Sequence, residues 1–156
     1  MDYTIRMATA DDTDAIVRHR CEMMRELQET TPEVLRLMQQ NFRPWLFERL
    51  RSGDYLGWLA TTEEGEVVAG AGLIFLEWPP SMLHLTPSRR AYLLNVYTDP
   101  EHRKQGLAHR LTQCTIDWCK ANNIPVLSLH ASRYGRPVYE SLNFQDSSEM
   151  RLVLSK

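Results

Sequence analysis

The chain has 156 residues, 43% of them hydrophobic and 24% charged, and carries a formal net charge of -2. That length suits one domain spanning residues 1–156, with a core large enough to need no staples. The balance of charge gives no general case for nucleic-acid binding. Three cysteines, Cys21, Cys114 and Cys119, form an odd set without paired spacing, which argues against a disulfide framework. They read as small buried hydrophobes. No metal-ligand cluster accompanies them, so no metal is expected. The opening MDYTIRMATADD lacks an apolar signal core, and no run of about 18 apolar residues is present to span a membrane. The cytoplasm is therefore the expected compartment.

Tyr3 to Ala8 alternates Tyr3, Ile5 and Met7 with polar residues and reads as a strand. Thr9 to Asp14 is rich in cap residues and acids, and the helix it starts carries Ile16, Val17, Cys21, Met24 and Leu27. Thr31-Pro32-Glu33 starts a second helix, with proline at its first position. Leu35, Met38, Phe42, Trp45, Leu46 and Leu50 continue its stripe, and Pro44 is expected to break or kink it. Tyr55 to Thr61 and Glu66 to Leu76 form a hairpin about Glu63-Glu64-Gly65. Trp78 to Arg90 holds three prolines and mixed polarity and reads as a loop. Ala91 to Thr98 is a buried strand, Gly106 to Asn122 a helix, and Val126 to His130 a short strand. Arg136 to Leu142 is a short helix, and Phe144 onward is expected to give two last strands, ending at Met150 to Leu154. This order describes a mixed α/β sheet, largely antiparallel, with one strand-helix-strand crossover.

The most informative stretch is Val96 to Leu111, VYTDPEHRKQGLAHRL. A buried strand runs through a short loop directly into a helix, whose N-terminal N–H groups and partial positive charge suit an anion. Gly106 lets the backbone approach a phosphate closely. Ala108 is small, and Arg103 and Lys104 add charge. The segment lacks the Gly-Lys-Ser/Thr of a P-loop and the three glycines of a dinucleotide fingerprint.

Arg103-Lys104-Gln105-Gly106-Leu107-Ala108 resembles the Gln/Arg-x-x-Gly-x-Gly/Ala acyl-CoA loop of the GNAT superfamily of N-acetyltransferases. The loop follows a strand ending in a turn, Asn95 to Pro100. About 30 residues later comes Gly135-Arg136-Pro137-Val138-Tyr139-Glu140-Ser141-Leu142-Asn143-Phe144, similar to the family's tyrosine-bearing short helix. The opening strand, the Trp45 to Leu50 helix and the hairpin extend the resemblance over nearly the whole chain. Asn143 stands where glycine is common, and asparagine tolerates a left-handed backbone.

The resemblance implies a GNAT-like acyl-CoA N-acyltransferase fold, with a central, mostly antiparallel twisted sheet flanked by helices. It implies acetyl-CoA as co-substrate, without a metal, and an amine-bearing acceptor attacked directly in a ternary complex. The loop backbone from Arg103 through Lys104, Gln105, Gly106 and Leu107 to Ala108 would grip the pyrophosphate. Val96 and Thr98 would pair with the pantetheine arm, and a backbone N–H near Val96 would stabilise the oxyanion. Tyr139 is the candidate general acid, its phenol protonated at neutral pH; the alternative is an ordinary core-covering tyrosine. Ser132 either touches the CoA arm or caps a helix. Glu77, at the end of the third strand, is a candidate base, against a plain surface glutamate. His130 is another, and a water chain is a third. Glu22, Glu26, Glu29 and Glu77 either favour a cationic amine or form solvated faces. Two other readings stay open: a silent CoA-binding sensor of the same fold, and a nucleic-acid module, which the charge disfavours. No nucleic-acid or membrane partner is expected. The apolar C-terminal strands are candidates for pairing across a homodimer.

Overall fold

The computed structural model describes residues 1–155. Five strands lie in the order β1 (Thr4–Met7), β2 (Tyr55–Thr61), β3 (Val67–Trp78), β4 (Ser88–Thr98) and β5 (Leu127–Leu129). The first four pair antiparallel, and β5 joins β4 in parallel. Helices α1 (Thr13–Leu27) and α2 (Pro32–Ser52) cover one face; α3 (Leu107–Ala121) and α4 (Arg136–Ser141) cover the other. The α1/α2 side buries Ile16, Val17, Phe42, Leu46, Tyr55 and Leu59. The α3 side buries Ala69, Ala71, Leu73, Leu93, Leu107 and Leu111. Small residues along β3 let α3 lie close to the sheet.

The local signals read from the sequence act as expected. Thr9 accepts from the Asp11 N–H, and Asp12 accepts from the Thr9 N–H, closing a capping box around a 3-10 turn that feeds α1. Thr31 caps α2 through the Val34 N–H at 3.2 Å, and Gly53 ends that helix in the left-handed region. Gly65 turns the β2–β3 hairpin at φ +88. Cys21 and Cys119 are buried and free.

Three expectations are corrected. Pro44 does not break α2, which runs through it to Ser52. Pro44 and Gln40, whose carbonyl it leaves without a helical partner, both lie on the exposed face, where solvent can serve that carbonyl. Phe42 and Leu46, on the buried face, hold the helix to the sheet. The loop read from Trp78 to Arg90 is shorter than expected: residues 79–87 connect β3 to β4, while Trp78 and residues 88–90 belong to the strands. Cross-strand pairing of Glu77 with Arg89 extends the ladder. So do the Arg89 guanidinium 4.6 Å from the Phe75 ring centre and that of Arg90 3.8 Å from Trp78. Finally, residues 144–155 contain no strand, and Met150, Leu152, Val153 and Leu154 are exposed. An alternating apolar segment becomes a strand only where a neighbouring ladder and a packed face both receive it, and nothing packs over this one. The proposed pairing of C-terminal strands across a dimer loses its premise.

His19 is a strongly perturbed group in the core. It is 1% exposed and packs its ring 5.1 Å from that of Tyr97. Burial, reinforced by the adjacent Arg18 charge, lowers its pKa to about 4. The unfolded chain therefore binds a proton that the folded one refuses as the pH falls from about 6.5 toward 4, and stability is lost in that window. His19→Gln should flatten the pH dependence of the thermal midpoint between pH 6.5 and 4, removing a loss on the order of 3 kcal/mol. An undiminished slope in the variant would place the acid sensitivity elsewhere.

Candidate active site

The site begins with a strand that loses its neighbour. Ala91, Tyr92 and Leu93 of β4 pair with Leu127, Ser128 and Leu129 of β5, and the pairing stops there. From Leu94 to Thr98, β4 keeps its β3 partner but has an open edge on the other side. Unpaired N–H and C=O groups on such an edge accept another extended chain. Val96 and Thr98 lie on this stretch.

The same stretch carries a β-bulge. Gly72 pairs with Leu94 and Gly70 with Tyr97, so Ala71 faces both Asn95 and Val96. Asn95 takes φ 55, a left-handed conformation uncommon outside glycine. Its side chain holds it there. Asn95 Nδ2 donates to the buried Tyr55 hydroxyl at 3.0 Å, and Arg20 Nη1 donates to Asn95 Oδ1 at 2.6 Å. Burial pushes the Tyr55 phenol up to about 12, so it remains a neutral partner. Gly72 makes room for that hydroxyl: a Cβ there would stand 2.0 Å from it. The bulge re-aims the backbone at Val96 where the edge is open.

After Thr98 the chain passes through a 3-10 turn at Pro100–His102 and reaches α3. Lys104 and Gly106 both take left-handed conformations, at φ 62 and φ 77. A lysine held there is strained, and such strain concentrates at functional sites. Gly106 caps α3 with no side-chain acceptor, and the first bond of the helix runs from the Arg110 N–H to the Gly106 carbonyl at 3.0 Å. The N–H groups of Leu107, Ala108 and His109 are thus without helical partners. A Cβ on Gly106 would meet nothing within 4 Å, so open space lies before the helix end.

The Arg103 side chain points elsewhere. Its Nε donates to the Thr98 carbonyl at 2.9 Å, and Nη2 donates to both Glu26 oxygens, at 2.7 and 2.9 Å. Its charge is spent on α1, leaving its backbone in the loop and the exposed Lys104 as the loop's cation. Arg18 pairs with both Asp99 oxygens, at 2.8 and 3.1 Å, so α1 grips the loop at two points.

A cleft of about 920 Å³ lies along β5 and the part of β4 that pairs with it, lined by Tyr92, Leu129, His130, Arg136 and Tyr139 among others. Tyr139, on α4, is 9% exposed and stands edge-on to Phe144, 5.8 Å between ring centres. Burial pushes its phenol up to about 12. The Ser132 hydroxyl accepts from the Gly135 N–H at 3.0 Å, making the turn that opens α4. His130 follows β5 directly, and its Nδ1 contacts the Tyr92 hydroxyl. Val96 and Thr98 lie on the open edge and the 103–108 loop follows it, while Tyr139 lines the cleft and shares an apolar cluster with Val96 and Leu107. Glu77 stands apart: it is exposed and pairs with Arg89, six residues along β4 from Asn95, or roughly 20 Å of strand. Sequence reasoning missed Asn95, Arg20 and Tyr55. An asparagine inside an apolar strand was the signal available for the bulge.

Comparison with known proteins agrees with this geometry. A family model for the acetyltransferase (GNAT) family matches residues 20–144, and the chain belongs to that family. A GCN5-related N-acetyltransferase from Ralstonia eutropha JMP134 is 35% identical, with 98% of this chain and 99% of that one covered and a TM-score of 0.89. A predicted acetyltransferase from Clostridium acetobutylicum, solved with acetyl-CoA, is 25% identical, with 97% and 96% covered and a TM-score of 0.84. Glucosamine-6-phosphate N-acetyltransferase from Arabidopsis thaliana shares the fold at 18% identity, with 99% and 100% covered and a TM-score of 0.71. A comparison with curated proteins finds no match. The protein is thus an acetyltransferase enzyme of a family whose co-substrate is acetyl-CoA. No helix among the described residues is long and apolar enough to cross a membrane.

Gly72→Ala tests the packing that sets the bulge. The methyl must displace the Tyr55 hydroxyl, and overpacking of this kind should lower stability by about 1–3 kcal/mol. Thermal unfolding measures it, and an unchanged midpoint would show that Tyr55 is free to move.

Proposed function

We propose that the protein transfers the acetyl group of acetyl-CoA to a primary amine by direct attack within a ternary complex. The observation that carries this reading is the fork where β4 parts from β5 next to the unpaired N-terminus of α3. The pyrophosphate binds the N–H groups of the 103–108 loop and the first turn of α3, with Lys104 adding charge. The pantetheine arm extends along the open edge at Val96 and Thr98. Ser132 borders this path. The thioester then sits at the bulge, where the Val96 N–H stabilises the developing oxyanion.

The nitrogen–carbon bond forms as the carbon–sulfur bond breaks; the amine loses a proton and the thiolate gains one. Tyr139 stays protonated throughout the physiological range and donates a hydrogen bond to the departing sulfur. A thiol is the stronger acid, so the phenol stabilises the charge and solvent supplies the final proton. With His130 Nδ1 engaged by the Tyr92 hydroxyl, Nε2 is the ring nitrogen left to take the amine proton, directly or through water. Glu77 has no part in this scheme.

Gly106→Asp should weaken acetyl-CoA binding at least about 100-fold, because it sets a carboxylate where the phosphates lie and strains a left-handed residue. Calorimetric titration of both proteins measures this, and equal affinities would remove the loop from the site. Tyr139→Phe should cut turnover about 10- to 100-fold with acetyl-CoA affinity nearly unchanged, read by thiol release. An unaltered rate would exclude Tyr139 from catalysis, and tight acetyl-CoA binding without turnover of any amine would favour a sensor.

A further inference from the structure

The bulge is held by a cation that has no anion. Arg20 lies on α1 with its guanidinium 4.9 Å from the centre of the Phe42 ring. Its Nη1 donates to Asn95, and its Nε is buried without a hydrogen-bond partner. No carboxylate among the described residues forms an ion pair with it. The neighbouring arginines of α1 differ: Arg18 is paired with Asp99, and Arg25 with Glu22. Burial lowers the Arg20 pKa, the mark of a cation removed from water without full compensation. A half-buried guanidinium is costly unless an anion joins it.

Its place decides what that anion belongs to. Arg20 bonds to the side chain of Asn95, the residue immediately before Val96, and therefore stands beside the position where the acyl carbon is attacked. The acids of α1 that would favour a cationic acceptor are already committed, Glu22 to Arg25 and Glu26 to Arg103. The polar bonds from Arg20 to Asn95 to Tyr55 leave Nη2 unbonded and open, while Nε is sealed from solvent. Nη2 offers a charged donor to one oxygen of a carboxylate or of a phosphate monoester.

We infer that the acceptor is a small amine bearing its own oxyanion, a carboxylate or phosphate ester, and that Arg20 receives that group and so determines specificity. The inference rests on the acetyl-transfer function proposed above. An oxyanion seated on Arg20 neutralises the buried cation and places the amine a few bonds away, at the bulge. Asn95 and Phe42 fix the guanidinium, so the charge is preorganised and little is lost in ordering it.

The test uses matched acceptors and thiol release at saturating acetyl-CoA. Amino acids are compared with their amides, and O-phosphoethanolamine with ethanolamine; whichever pair reacts identifies the source of the oxyanion. The anionic member should exceed its neutral partner at least about tenfold in kcat/KM, chiefly through KM. In Arg20→Met that ratio should collapse toward one, while Arg20→Lys, which keeps the charge but loses the fork, should retain part of it. Acetyl-CoA affinity and the thermal midpoint serve as controls for folding. Neutral amines reacting as well as anionic ones in the natural protein would overturn the inference and leave acetyl transfer intact, whether or not the variants fold. A ratio preserved in folded Arg20→Met would also overturn it. Thiol release from no amine at all would bring down both readings.

Discussion

The site depends on one constraint, the left-handed bulge at Asn95 in the middle of a buried strand. A bulge there is costly in isolation, because it breaks a ladder and places a non-glycine residue at positive φ. The surroundings over-determine it. Tyr55 must find a partner for a buried hydroxyl, Asn95 provides one, and Gly72 leaves the space for them to meet.

From the bulge onward the strand serves two neighbours. On one side β3 continues to pair with it through Thr98 and Ala69; on the other β5 has already ended at Leu129. The open edge is therefore a consequence of a short β5 beside a long β4, and no moving part is required to expose it. Asn122 and Asn123 close α3, Asn123 at φ 56, and send the chain back toward β5. The crossover thus sets where the fork opens.

Helix α1 links the two halves of the site. Its Arg18 and Glu26 hold Asp99 and Arg103, on either side of the 3-10 turn, while its Arg20 holds the bulge. Exposed ion pairs contribute little stability one by one. Bidentate pairs flanking one turn act mainly on geometry: they fix the approach of β4 to α3, and with it the direction in which the unpaired N–H groups of α3 point.

Much of the fold was legible in the sequence because its signals are local. Thr9, Thr31, Gly53, Gly65 and Gly106 each act within four residues of their position, and the apolar periodicities mark which face each helix buries. The loop before α3 was legible for the same reason, as a glycine before a helix beside basic residues. What failed was decided by pairing and exposure. The loop read from Trp78 to Arg90 lost its ends to the strands, where Arg89 and Arg90 found aromatic rings on β3. The apolar alternation from Met150 to Leu154 found no partner. Arg103 donates to a carboxylate 77 residues away, and Arg20 to an amide 75 residues away. Sequence alone therefore determined the elements, the loop and the family resemblance, since these rest on short-range geometry. Only the tertiary structure decided that Arg103 is neutralised, that Glu77 stands far from the fork and that Arg20 waits beside it, because such pairings exist only once distant segments are packed together.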